Sequence, residues 1–238
     1  MAPSPGPSPH GTVAGFSSSH FSGRAWSENV GDGYLRTPDA IPPAALAGAA
    51  ILVRPWDRDG VEGLEGRRGV RPGIGNAAAG TLVAGSLLLG LLAPGEGRTA
   101  LDEVWNQGEA FGVALGAATL LKFSVPRSRP GDSGNSFPSG HATASFTAAT
   151  LVWRNSGPWL GVPAFALAAA AGFSRVEAGR HYPSDVLAGA ALGVLSAGVV
   201  DALHFGGGGP GKGICGSGAL PYVVPLQGGV EVGIAFDF

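Results

Sequence analysis

Five stretches of this chain carry almost no charge, and no other feature limits its fold as much. Residues 74–93, 142–153, 155–174 and 186–200 contain no Asp, Glu, Lys or Arg, and 104–121 contains only Glu109. They are built largely from Ala, Leu, Val and Gly, apolar on every side, with no polar stripe at helical period. A helix apolar all round is either a membrane span or the centre of a large soluble core. Two of the runs reach 20 residues, the length that crosses a bilayer. A chain of 238 residues, only 13% of them charged, has little polar material with which to wrap five such helices; an ordinary soluble domain carries roughly 25%. The expectation is an all-α, membrane-embedded bundle of five to six helices. A soluble helical bundle is the alternative, kept open by a mean hydropathy of only +0.22. The sixth helix, at 41–53, is weaker and too short to span alone.

The two ends have a different texture. Residues 1–40 are rich in Pro, Gly and Ser, with alternating prolines at Pro3, Pro5, Pro7 and Pro9, and read as a disordered arm without the apolar segment of a signal peptide. Gly206 to Gly218 reads as a flexible linker. Beyond it Val230, Val232, Ile234, Phe236 and Phe238 alternate at period two. A small hairpin with Leu220–Leu226, turning at Gly228–Gly229, is expected there. The closing strand of an outer-membrane barrel is the weaker reading, since no other barrel strands are visible. The domain division is therefore an arm at 1–40, a helical domain at 41–205, and a linker with a β-like tail at 206–238.

Several function classes are excluded. The single cysteine, Cys215, permits neither an internal disulfide framework nor a cysteine-based zinc cluster. A net charge of -2 argues against a nucleic-acid partner. Gly206, Gly211 and Lys212 imitate a phosphate-binding loop, but Gly213 replaces its hydroxyl residue and the segment follows a helix rather than a strand. The pairs Gly112-x-x-x-Gly116 and Gly189-x-x-x-Gly193 suit close helix approach, or reflect a coding bias in which 13 Arg accompany 2 Lys.

The chemically capable residues fall in two loops. The first runs from Lys122 through Arg127, Arg129, Pro138, Ser139 and Gly140 to His141, and the second from Ser174 and Arg175 through Arg180 and His181 to Asp185. In an up-and-down bundle the end of one helix and the start of the next share a face, and counting helices puts both loops on the same one. Lys122, Arg129 and Arg175 then need an anionic partner, and guanidinium forks match phosphate oxygens. Ser139 and Gly140 open a helix, whose N-terminal N–H groups suit an anion. Asp185, about one turn beyond His181, can reach back to the imidazole, fix its tautomer and free the other nitrogen as a nucleophile. His141 is available to protonate a leaving oxygen. Taken singly, these residues also suit interfacial anchors and a structural hydrogen bond.

The spacing K-x6-R-P (Lys122, Arg129-Pro130), P-S-G-H (Pro138 to His141) and S-R-x5-H-x3-D (Ser174-Arg175, His181, Asp185) resembles the type 2 phosphatidic acid phosphatase (PAP2)/vanadium haloperoxidase superfamily across about 105–205. All three blocks are intact and in order. The resemblance implies that Lys122, Arg129, Arg175, Ser139 and Gly140 bind phosphate. It makes His181 the nucleophile that becomes a phosphohistidine, Asp185 its orienting group, and His141 the acid and then the base. It implies no metal and no cofactor. The substrate expected is a lipid phosphate or diphosphate of the phosphatidate, phosphatidylglycerol phosphate or undecaprenyl diphosphate class. The implied setting is a multi-pass inner membrane protein among membrane lipids, its site facing the periplasm or exterior. A vanadate-dependent haloperoxidase and a non-enzymatic lipid-binding protein are the alternatives. His10, His20 and His204 match no block and read as bystanders.

Overall fold

The computed structural model describes residues 38–63, 72–95, 97–131, 134–205, 220–226 and 229–235. Nearly all of the expected arm, the glycine linker with the rejected phosphate loop, His10, His20, Phe236 and Phe238 lie outside these residues. Within them are six long helices and one short one: α1 (Ile41–Val53), α2 (Asp57–Glu62), α3 (Pro72–Leu92), α4 (Ala100–Ser124), α5 (Gly140–Ser156), α6 (Pro158–Glu177) and α7 (Pro183–Phe205). The five charge-poor runs become α3 to α7, and the sixth helix forms at the expected residues. At the C-terminal end β1 (Leu220–Leu226) pairs antiparallel with β2 (Gly229–Ala235). The hairpin forms as expected, but Gly229 already belongs to a strand.

Local chemistry sets the helix boundaries. Thr99 caps α4 in a reciprocal box: its hydroxyl accepts from Asp102 N–H at 3.2 Å, and Asp102 accepts from Thr99 N–H at 2.9 Å. That satisfies two of the four N–H groups left bare at a helix start. Ser139 caps α5. Gly157, at φ 73°, ends α5, and Pro158 opens α6 at a position where its missing N–H costs nothing.

α5 sits centrally, packed against α7, α6, α3 and α4, with α1 lying along α7. The central contact depends on two glycines. A Cβ on Gly189 would lie 2.5 Å from the Ser139 carbonyl oxygen, and one on Gly193 would lie 2.5 Å from that of Thr143. Gly112 and Gly116 have open space beside them, so only the second of the two small-residue pairs is a packing device.

The packing is inside-out by the standards of a water-soluble protein. The fully buried positions include Ala110, Ala114, Ala142, Ala148, Ala149, Ala168, Ala171 and Ala197, with Thr143, Thr147 and Thr150. The large apolar side chains point outward: Leu92 is 72% exposed, Leu120 70%, Phe123 78% and Trp159 90%. Water would penalise such a surface, whereas lipid accepts it, and small residues are what let helices pack inside a bilayer. Gly75–Leu92, Pro158–Glu177 and Pro183–Phe205 are long and apolar enough to cross a membrane. The chain is a membrane protein, and the soluble-bundle alternative falls.

The ends of the bundle are polar. At one, Arg98 bridges Glu103 at 3.0 Å and Asp201 at 2.9 Å, while Arg154 bridges Asp201 at 2.5 Å and Asp39 at 3.3 Å. This buried network ties the starts of α1 and α4 to the ends of α5 and α7. His204 also lies at this end, paired with Glu109 at 2.9 Å. The other end carries the two loops singled out in the sequence.

Candidate active site

The first loop, 125–139, follows α4, and the second, 178–182, joins α6 to α7. They are laced together by Gly131 N–H donating to the Gly179 carbonyl at 3.0 Å and Ser139 N–H donating to the Asp185 carbonyl at 3.0 Å. Gly179 takes a positive φ of 63°, which glycine adopts without steric cost. The peptide before Pro138 is cis.

His181 is 4% exposed. Its Nδ1 lies 2.7 Å from the Ser136 carbonyl oxygen. A carbonyl only accepts, so Nδ1 carries the proton and Nε2 presents its lone pair. Burial, then the nearby Lys122 ammonium, push the imidazole down to about 3; the Ser136 bond opposes this, and Arg175 and Arg129 add to it. The same interactions place three cations around one histidine. Lys122 reaches from the last turn of α4, its Nζ donating to the Pro138 carbonyl at 3.0 Å and the Asn135 carbonyl at 3.3 Å. These are neutral partners, and no carboxylate pairs with its charge among the described residues. Arg175, at the end of α6, donates Nη1 to Asn76 of α3 at 2.8 Å, while its buried Nε has no partner. His141, in the first turn of α5, is half-buried and within electrostatic reach of Arg175.

One expectation needs correcting. Asp185 does not hydrogen-bond the imidazole, because its Oδ2 stays 4.0 Å from Nδ1. Its oxygens are already engaged. Oδ2 accepts from Tyr182 N–H at 2.9 Å, as a helix-start carboxylate does, and from the Ser136 hydroxyl. Oδ1 accepts from Arg127 at 2.6 Å. Asp185 therefore holds Ser136, and the Ser136 carbonyl holds His181. Ser139 is held in the same way. Its N–H donates to the Asp185 carbonyl and its hydroxyl oxygen accepts from Ala142 N–H at 3.4 Å, which leaves the hydroxyl proton to donate elsewhere.

Ser136 and Asp57 were missed by the sequence reading, and Arg127 was placed in the loop but given no role. Asp57 begins α2, is 3% exposed, and accepts from Arg127 Nη2 at 2.5 Å, Ser184 N–H at 2.9 Å and the Ser184 hydroxyl. Arg127 thus joins two buried carboxylates, with its guanidinium 4.2 Å from the Tyr182 ring centre. The signal for Arg127 was its place among three basic residues between 122 and 129. Nothing local marks Asp57, which lies 127 residues from its partner Ser184. Among the described residues no three His, Cys, Asp or Glu side chains gather as metal ligands.

Three cations and two histidines at one polar end of a helical membrane bundle are chemically suited to an anion. This chain matches the family model described as PAP2 superfamily over residues 103–206. It is 43% identical over 93 residues to a lipid A 1-phosphatase of Porphyromonas gingivalis, covering 37% of this chain and 21% of that protein. It is 40% identical over 107 residues to a decaprenylphosphoryl-5-phosphoribose phosphatase of Mycobacterium tuberculosis, covering 40% of this chain and 57% of that protein. The matches thus span less than two thirds of either relative. A crystal structure of Aquifex aeolicus LpxE shares 22% identity, with a TM-score of 0.46 over 53% of this chain and 80% of that one.

Proposed function

We propose that residues 41–205 form a multi-pass membrane phosphatase that hydrolyses the terminal phosphate of a lipid phosphate or diphosphate. One observation carries the reading: a buried, neutral His181, its Nδ1 fixed by Ser136, faces Lys122, Arg129 and Arg175. The cations hold the phosphate oxygens, with Gly140 at the start of α5. His181 Nε2 attacks phosphorus as the bond to the lipid oxygen breaks, and His141 gives that oxygen a proton. His141 then takes a proton from water, whose oxygen attacks phosphorus, and the P–N bond breaks to release inorganic phosphate. Fixed cations supply the charge stabilisation that phosphoryl transfer demands, so no step calls on a metal. The relatives named above, phosphatases of lipid A and of a decaprenyl phosphosugar, support a lipid substrate. The family resemblance supports a site turned toward the periplasm or exterior.

A substrate panel tests this. Purified protein in detergent with a chelator is offered phosphatidate, phosphatidylglycerol phosphate and undecaprenyl diphosphate. Phosphate release from at least one is expected, falling at least about 10³-fold in His181→Ala, the scale of removing a nucleophile. Release that survives this substitution would sink the mechanism.

A further inference from the structure

Arg127 holds Ser136 in two ways. The Ser136 N–H donates to the Arg127 carbonyl at 2.7 Å. The Ser136 hydroxyl donates to Asp185, whose other oxygen accepts from Arg127 Nη1 at 2.6 Å. The third polar group of Ser136, its carbonyl, accepts from His181 Nδ1. Every polar group of Ser136 is thus committed, and its position sets that of the imidazole. What fixes Arg127 lies on another element. Its Nη2 donates to Asp57 Oδ2 at 2.5 Å, so one planar guanidinium spans two carboxylates with separate nitrogens, a grip that a lysine ammonium does not reproduce.

Asp57 is itself anchored on the first turn of α7. Its Oδ1 accepts from Ser184 N–H at 2.9 Å, one of the donors left bare at a helix start, and its Oδ2 accepts from the Ser184 hydroxyl. A carboxylate there also suits the helix dipole. α2 lies close against the same turn: a Cβ on Gly60 would sit 3.1 Å from Pro183 Cγ. Asp57 is buried at 3% exposure, and it lies outside residues 103–206, which match the family model.

We infer that Asp57 is a positioning residue for His181, acting through Arg127, Asp185 and Ser136, so that α2 belongs to the working site. The chemical consequence for turnover rests on the phosphatase reading; the positioning of the ring does not. With Asp57 ionised, Arg127 is pinned between two carboxylates, and Asp185 keeps one oxygen for Ser136. Without that charge, Nη2 loses its partner and the guanidinium turns both nitrogens onto Asp185. A bidentate pair of that kind is strong, and it takes up the oxygen that holds the Ser136 hydroxyl. The Ser136 carbonyl then no longer fixes the proton on His181 Nδ1, and Nε2 loses its aim.

The test uses the full chain in detergent micelles, with p-nitrophenyl phosphate as substrate and ¹⁵N spectra of the His181 ring as a readout that needs no turnover. Asp57→Asn keeps the shape and an oxygen for Ser184 N–H but removes the charge. Arg127→Lys keeps the charge but removes the fork. Asp59→Asn removes an equal charge from an exposed position on the same helix. Asp57→Asn and Arg127→Lys are each expected to lower kcat about 10- to 100-fold, the scale of a misaimed reacting group, with KM held within about twofold. The double variant should fall no further than the worse single one, as for residues that act as a unit. Asp59→Asn should stay within about twofold of the wild type in kcat. The Nδ1 proton should be fixed in the wild type and Asp59→Asn, and exchange between the ring nitrogens in the other two. A fixed Nδ1 proton in Asp57→Asn overturns the proposal even if the melting temperature or kcat falls, because Asp57 is then a structural tie alone. A change confined to KM would make it a contributor to phosphate affinity and overturn the proposal equally. Should Asp57→Asn not fold, Arg127→Lys decides by the same readouts, since a fixed Nδ1 proton there breaks the connection from Asp57 to Ser136. Failure of the wild type to hydrolyse p-nitrophenyl phosphate or the panel lipids would count against the phosphatase reading, and the ring spectra would still decide the role of Asp57.

Discussion

His181, the proposed nucleophile, illustrates how burial and charge keep neutral a residue that is ordinarily half-protonated near neutral pH. Desolvation disfavours its imidazolium form, and three cations disfavour it further. Its folded value of about 3 lies below the ordinary 6.5. Between those pH values the unfolded chain holds a proton that the folded chain does not. Acidification through that window therefore removes stability, and His181 costs none above it. In ¹⁵N spectra of the micelle-bound protein, the His181 ring should stay neutral with the proton on Nδ1 down to about pH 4. Inorganic phosphate, by offsetting the cations, should move its titration upward. A midpoint near 6.5 in the free protein would contradict this account. The motif residues were legible because each block is local: Lys122 with Arg129, Ser139 with His141, Arg175 with His181 and Asp185. Their contacts were less legible. Asp185 is one turn from His181, yet it acts through Ser136, whose place is set by a loop folding back from 45 residues away. Asp57 was invisible for the same reason at greater separation.

The helices were legible nearly residue for residue, because a run free of charge and bounded by polar residues has one low-energy solution in lipid. What spacing could not say was which faces meet. Both glycine pairs obey the small-x-x-x-small pattern, and only Gly189 and Gly193 carry a close contact. The two pairs should separate on mutation. Gly189→Ala puts a Cβ against the Ser139 carbonyl and should cost about 1–3 kcal/mol, the scale of overpacking. Because it displaces the helix start beside His141, it should also lower kcat. Gly112→Ala faces open space and should be neutral or raise stability by up to about 1 kcal/mol through helix propensity. Detergent thermal melts check both, and equal effects at the two sites would refute the packing assignment. The short α2 was not foreseen. It is held chiefly by Asp57, whose ties to Arg127 and Ser184 appear only in three dimensions.

At the scale of the molecule, charge is segregated into two polar ends joined by helices that are alanine-lined inside and leucine-rich outside. One end is closed by ion pairs: Arg98 and Arg154 are satisfied by Asp201, Glu103 and Asp39. At the other end, among the described residues, Lys122 forms no ion pair and the Arg175 Nε is buried without a partner. Partly buried cations lacking a counter-charge are costly, and in the proposed function a phosphate anion would supply what is missing. This asymmetry sets the two ends of the bundle apart, and it follows from helix counting once the loops are known to share a face. The tails, 1–37 and 206–238, contribute nothing to that argument. The most direct measurement is to quench the wild-type protein during turnover of a ³²P-labelled lipid phosphate, under alkaline conditions that preserve a P–N bond, and to map the labelled peptide. Label on His181, absent in His181→Ala and chased by water as inorganic phosphate appears, is the expected result. Phosphate release with no label on His181, or with label on another residue, would contradict the account.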